Sequence, residues 1–148
     1  PPPPPPPPPL SAAKPLRPGA IDAVVPSGTV TCVLRDVVSG LRAHVSPPVR
    51  RVYALVPTAL VAECESVLGG EAACVDERTL LPVPLSEVRS ALTSKSARWA
   101  DSLRPGRENW YYQQLLKLLA VNVLELSEDF LVWDSDNMLV APYSAYLR

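Results

Sequence analysis

Short solid runs of apolar residues alternate with helically spaced apolar stripes along most of this chain. Ile21–Pro26 (IDAVVP) is one such run, ended by Pro26, Ser27 and Gly28, and it predicts a buried strand followed by a loop. From Val30 the apolar positions are 30, 33, 34, 37, 38, 41 and 45, a helical stripe. Ser27 or Thr29 is the expected cap of that helix, and Pro47 with Pro48 its stop. Residues 51–57 (RVYALVP) predict the second strand. Thr58 opens a helix whose stripe is Leu60, Val61, Cys64, Val67 and Leu68, closed at Gly69 and Gly70 by a left-handed cap.

Residues 72–76 predict a short third strand. Pro82 and Pro84 break residues 80–85 into loop or sheet edge. A brief helix follows from Ser86 to Leu92, then a polar loop over residues 93–106 with a Pro105-Gly106 turn. Asn109 is the expected cap of a longer helix, residues 110–124, whose apolar stripe is Leu115, Leu118, Leu119 and Val123. Phe130 to Trp133 (FLVW) is the fourth strand, apolar without alternation, as a strand covered on both faces is. Met138 to Val140 predicts one more short strand.

The order β-α-β-α-β-α-α-β implies an α/β fold, a Rossmann-like parallel sheet with right-handed crossovers. Ligands of such open sheets sit beyond the carboxyl ends of the strands. That rule selects Val25 and Pro26, Val56 and Pro57, Asp76, and Asp134 to Asp136.

Composition adds boundaries. The first nine residues are all proline; without amide donors they form no helix or ladder and predict an extended polyproline arm. The expected organisation is a disordered, proline-rich arm over residues 1–19 and one domain over residues 20–148. A net charge of −1 and the lack of a Lys/Arg cluster interleaved with aromatics exclude a nucleic-acid surface. No apolar run is long enough to span a membrane, and the proline tract is no signal peptide. The chain reads as a piece of a longer protein, incomplete at its C-terminus. Three cysteines, Cys32, Cys64 and Cys74, form no CxxC pair and are odd in number, which predicts small buried apolar residues rather than a disulfide framework or zinc site.

Asp134 and Asp136 are the sharpest chemical signal. They follow an apolar strand, and two-residue spacing puts both carboxylates on one side of an extended chain. Two close carboxylates repel, and a hard divalent cation relieves the repulsion. Such an ion bridges phosphates and stabilises a departing diphosphate. The lone histidine, His44, sits near a helix end and suits the helix dipole rather than catalysis. Ser27 and Ser102 lack a His–Asp partner pattern, and Arg104 and Arg107 flank a turn as solvated cations.

The segment WYYQQLLKLL from Trp110, followed by FLVWDSDNMLVAP from Phe130 to Pro142, resembles glycosyltransferases of the GT-A type. It is similar in particular to a glycosyltransferase-like family of unknown function in which a W-x-x-Q-Q-x-x-K-L helix precedes a D-x-D strand. The earlier β/α units match only in pattern, as the nucleotide-binding half of a GT-A fold. The resemblance implies that Asp134 and Asp136 hold Mn²⁺ or Mg²⁺, with Asp134 also at the diphosphate. It implies Lys117 near the nucleotide phosphates, Val25 and Pro26 lining the nucleoside pocket, and Gln114 and Trp110 shaping the sugar site. The implied activity is transfer of a hexose from a nucleotide-diphospho-sugar to an acceptor, with no residue of this chain assigned as base. Two alternatives stand beside it. A haloacid-dehalogenase-like phosphatase also places DxD after an apolar strand, but on the first core strand and followed by Gly-Thr. A non-catalytic Rossmann-like fragment would act as an interaction module, its proline arm offered to peptide-binding grooves.

Overall fold

The structure, a computed structural model, describes residues 19–94 and 107–146. The proline arm up to residue 18, and the segment 95–106 with Ser102, Arg104 and the Pro105-Gly106 turn, lie outside the described residues. Four parallel strands form the central sheet: β1 (Ile21–Pro26), β3 (Val49–Val56), β4 (Ala73–Asp76) and β5 (Phe130–Val132). Their spatial order is β4-β3-β1-β5, so the third, second, first and fourth sheet strands in chain order lie side by side. A separate two-residue parallel ladder joins β2 (Val45–Ser46) to β6 (Tyr143–Ser144).

From β1 to β3 to β4 the chain steps one way across the sheet. Its helices α1 (Cys32–His44) and α2 (Val61–Leu68) lie on one face. It then returns past β1 to β5, and α3 (Glu77–Leu80), α4 (Leu85–Ser94) and α5 (Arg107–Val123) lie on the other. Reversing both the direction and the face preserves the hand of the crossovers, as twisted parallel sheets require. The result is an α/β fold with a Rossmann-like parallel sheet.

All six residues of β1 are buried, because helices cover both of its faces. Alternate side chains feed opposite cores. Ala23, Val25, Val52, Ala54 and Val56 meet Leu34, Val37, Val38 and Leu41 of α1 and Cys64 and Leu68 of α2. Val24, Tyr53 and Leu55 meet Leu80, Tyr112, Leu116 and Ala120. Burying each of the larger aliphatic side chains stabilises the fold by roughly 1.5–3 kcal/mol.

Several expectations are corrected. In α5 the buried stripe is Tyr112, Leu116 and Ala120, whereas Leu118 is 70% exposed and Leu115 and Val123 are exposed too; of the expected stripe only Leu119 packs on the core. Apolar residues surround the second half of this helix, so its pattern does not fix its phase, and a tyrosine and an alanine occupy the sheet-facing row. The helix begins at Arg107, which puts Asn109 inside the first turn rather than at the cap. The cap position of α1 is Thr31, with no side-chain cap bond, and the Ser27 hydroxyl instead donates to Thr29 O at 2.6 Å. Strand β5 is only partly buried, with Val132 exposed, because no further strand lies beyond it among the described residues. Residues 138–140 form no strand; the Leu139 backbone crosses α1 at Gly40, and the pairing falls instead at Tyr143–Ser144.

The cysteine expectation also fails. Cys64 and Cys74 form a disulfide, and Cys32 is free and exposed. The β/α crossover lays α2 back on β4, so residues separated by 10 in sequence come to 6.0 Å between Cα atoms, within disulfide reach. Gly69, with φ of 54°, closes α2 in the left-handed conformation expected of it.

At the amino end of the sheet Asp22 is fully buried and closed in. Arg50 donates to both its carboxylate oxygens, at 3.1 and 2.7 Å, and the Ser127 amide donates to Oδ2 at 2.7 Å. The Asp22 amide in turn donates to Ser127 Oγ at 2.7 Å. Burial alone would raise the Asp22 pKa; the Arg50 and Ser127 bonds outweigh it and hold the carboxyl below its ordinary value.

Candidate functional site

The carboxyl ends of the strands carry a different arrangement. A cavity of about 220 Å³ opens there. Pro26, Ser27 and Gly28 line it from the end of β1, Leu55 and Pro57 from the end of β3, and Glu77 from just after β4. Leu85, Asn109, Tyr112, Gln113 and Leu116 close it from the helical side. The floor is shaped by a compact turn in which the Ser27 amide donates to Leu55 O at 2.8 Å. Gly28 leaves open space above it, with nothing within 4 Å of where a Cβ would stand.

The apolar walls desolvate the two titratable groups inside. Burial raises the Glu77 pKa above its ordinary value, with neighbouring Asp76 adding to it. Tyr112 is only 4% exposed, and burial, reinforced by the facing Glu77 carboxylate, pushes its pKa up to about 12. The two groups face each other, yet the buried Tyr112 hydroxyl has no hydrogen-bond partner of ordinary geometry. The Glu77 carboxylate is the group that faces it.

One strand over, the chain leaves β5 at the same end. The Trp133 amide extends the pairing to Val24 O at 2.9 Å, and the chain then turns, the Asn137 amide donating to Asp134 O at 3.2 Å. The Trp133 indole donates to Asn137 O at 2.6 Å and pins that turn. Asp134 and Asp136 therefore stand on a turn rather than on the extended chain that their spacing suggested. Lys117 reaches Asp134 Oδ1 at 2.5 Å and is itself only 15% exposed. Its direction follows from helix geometry: α5 runs antiparallel to the strands, and helical side chains lean toward the helix N-terminus, here the carboxyl end of the sheet.

Asp134 and Asp136 are both exposed, and Asp136 has no partner among the described residues. No group of three or more His, Cys, Asp or Glu side chains comes together among the described residues.

The sequence-derived site residues divide in three. Pro26 lines the cavity, while Val25 turns fully into the core beneath α1 and α2. Lys117 and Asp134 are joined, with Asp136 two residues on. Gln114 is half-buried and Trp110 is exposed, its ring edge-on to Tyr111 at 5.0 Å, and neither lines the cavity. Sequence reasoning missed Glu77, Tyr112, Gln113 and Asn109 as site residues. The carboxyl-end rule had reached Asp76, whose carboxylate is engaged instead by the Thr58 hydroxyl and the Arg78 amide, both at 2.8 Å; its neighbour Glu77 was one step further. Among the described residues no helix is long and apolar enough to cross a membrane. Comparison with known proteins finds no matching family model, no curated relative and no solved structure with a significant match.

Proposed function

We propose that this domain binds a nucleotide-diphospho-sugar and forms the donor-binding half of a GT-A type glycosyltransferase. The observation that carries the reading is the joint position of the cavity and the Lys117–Asp134 pair at the carboxyl end of the sheet, where strand order reverses about β1. Open parallel sheets bind their ligands at such a reversal. Strand spacing of about 4.8 Å puts the end of β5 one step from the end of β1. A ligand with its ring system in the cavity and its phosphates directed across the end of β1 would meet Asp134.

In this reading Asp134 and Asp136 hold Mn²⁺ or Mg²⁺, which when bound offsets the charge of the departing nucleotide diphosphate. Lys117, shielded from water, keeps Asp134 oriented and adds positive charge beside the phosphates. The N-terminus of α1 faces the same end with no side-chain cap and no acidic residue in its first turn, so the positive end of its dipole is offset by no carboxylate of that turn. The haloacid-dehalogenase-like alternative is weaker, because Asp134 follows the fourth strand of the sheet rather than the first. The interaction-module alternative draws on exposed apolar residues, chiefly Leu118 and Val121 of α5 and Val140 beyond it, which a partner would cover.

The test is calorimetric titration of uridine and guanosine diphosphates into wild type and Asp136→Ala, with Mn²⁺ and then with chelator. Binding that requires both Mn²⁺ and Asp136 is expected. Equal affinity under all conditions refutes the metal role, and absence of binding by either nucleotide refutes the function.

A further inference from the structure

Two of the three cysteines meet where α2 lies back on β4. Cys64 has no exposed surface and belongs to the core that α1, α2 and the sheet enclose. Cys74, half-buried, packs against the same core from the strand. Strand β4 has four residues and lies at the edge of the sheet, paired on one side only, to β3. Edge strands are where a sheet is least held, and the bond fastens this one to the helix that covers it. Cys32 stands apart, free and exposed at the start of α1.

Protein disulfides divide by access. Regulatory and catalytic bonds are exposed, so that a thiolate from outside can attack a sulfur, and they cycle between oxidised and reduced forms. Structural bonds are built into the packing and stay closed. The Cys64–Cys74 bond is of the second kind: one of its residues is wholly enclosed, and the other lies on the strand that the bond secures. The glutathione and thioredoxin pools of a cytosol keep thiols reduced. Structural disulfides accordingly belong to oxidising surroundings, namely the secretory lumen, the bacterial periplasm or the cell exterior.

We infer that this domain folds and works in an oxidising compartment, with Cys64–Cys74 as its structural bond and Cys32 outside it. Forming the bond removes two protons and two electrons from the two thiols. The electrons pass to a disulfide of that compartment, carried by a protein oxidoreductase or a small molecule. One cysteine thiolate attacks this oxidant, forming a mixed disulfide and releasing one thiol. The second cysteine attacks the mixed disulfide, closes the Cys64–Cys74 bond and releases the other thiol. Because Cys64 is enclosed in the finished domain, the exchange takes place before α2 has settled on β4. A separation of 10 in sequence lets the two thiols meet in the unfolded chain at a small entropic cost. The inference involves no ligand and stands apart from the nucleotide reading.

The experiment is thiol accounting on the full-length protein in its source cells. The cells are quenched in acid, which protonates thiolates and halts exchange. The denatured protein is then alkylated before and after reduction, and each cysteine is read by peptide mass spectrometry. Cys64 and Cys74 are expected to carry no label before reduction and to carry it afterwards. Labelling of both before reduction overturns the inference, because the protein then lives with the pair as thiols. A second arm holds the purified, folded protein for hours in glutathione set to the reducing poise of a cytosol, with circular dichroism to follow the fold. Persistence of the bond is expected of a structural disulfide. Its ready reduction with the fold intact overturns the structural assignment and makes the pair redox-responsive.

Discussion

The two ends of the central sheet each hold a carboxyl group, Asp22 fully buried and Glu77 half-buried, and they treat it in opposite ways. At the amino end Asp22 is closed in by Arg50 and the Ser127 amide, and its pKa is lowered. At the carboxyl end Glu77 lines a cavity, its pKa raised by desolvation, and faces the Tyr112 hydroxyl. A satisfied network ties β1 to the start of β5 and serves the fold. At the other end burial raises the pKa values of both Glu77 and Tyr112, and the Glu77 carboxylate raises that of Tyr112 further. The satisfied network thus lies at one end of the strands and the cavity at the other, where open parallel sheets bind their ligands.

Mutation of the two ends should separate them most strongly. Asp22→Ala leaves Arg50 and the Ser127 amide without their acceptor and should cost about 2–4 kcal/mol in denaturant unfolding. Tyr112→Phe removes a hydroxyl that faces the half-buried Glu77 carboxylate, and should change stability by no more than about 1 kcal/mol. Comparable losses from the two would break the comparison. Next in size is the disulfide. Cys64 and Cys74 close a loop of 10 residues in sequence, and removing both thiols by alanine substitution should cost about 2–3 kcal/mol by loop entropy. It should leave ligand affinity unchanged, since neither cysteine lines the cavity; a parallel loss of binding would show that frame and site are not separate.

Gly40→Ala probes the segment that follows the Asp134 turn. In an exposed helix interior alanine is favoured over glycine by about 1 kcal/mol. Here the new Cβ would stand 2.7 Å from Leu139 O, a backbone atom, so a loss of about 1–3 kcal/mol is expected from the forced shift. A gain, read from the thermal midpoint, would mean that residues 138–146 do not lie against α1.

The two carboxyls also predict opposite pH dependences. Asp22, with a folded pKa lowered from 3.8, contributes stability that is present above its unfolded value and lost as pH falls through the folded one. Glu77, raised from 4.5, contributes stability that is present below its unfolded value and lost as pH rises through its folded one. Lowering pH toward 4.5 should therefore raise the urea midpoint slightly, by an increment that Glu77→Gln abolishes, and lowering it below 3.8 should reverse the trend. A midpoint that falls monotonically from neutrality in wild type and variant alike would contradict the Glu77 assignment. The smallest effect belongs to Leu118→Ala, under about 0.5 kcal/mol at an exposed site; a core-sized loss would restore the face of α5 that the sequence suggested.

The sequence revealed the frame more readily than the site. The run IDAVVP is β1 to the residue, because a strand covered on both faces is continuously apolar and Pro26 ends it. The glycine pair after Leu68 marked a true left-handed cap. Hydropathy failed in α5, where leucines surround the helix and the sheet-facing row includes Tyr112 and Ala120. Cysteine spacing failed because the bridge depends on how α2 returns to β4, a tertiary fact. At the site, Asp134 and Lys117 were visible as a motif and meet as an ion pair. Glu77 and Tyr112 lie 35 positions apart in sequence, and no local pattern links them; only the packing of α5 over the ends of the strands does.

Amide hydrogen exchange with Mn²⁺ and guanosine or uridine diphosphate, added separately, asks whether the carboxyl end binds while the amino end holds the fold. New protection is expected at residues 26–29, 109–117 and 134–137 and none at residues 127–130 beside Asp22. Protection centred on the Asp22 end, or none anywhere with either nucleotide, would contradict it.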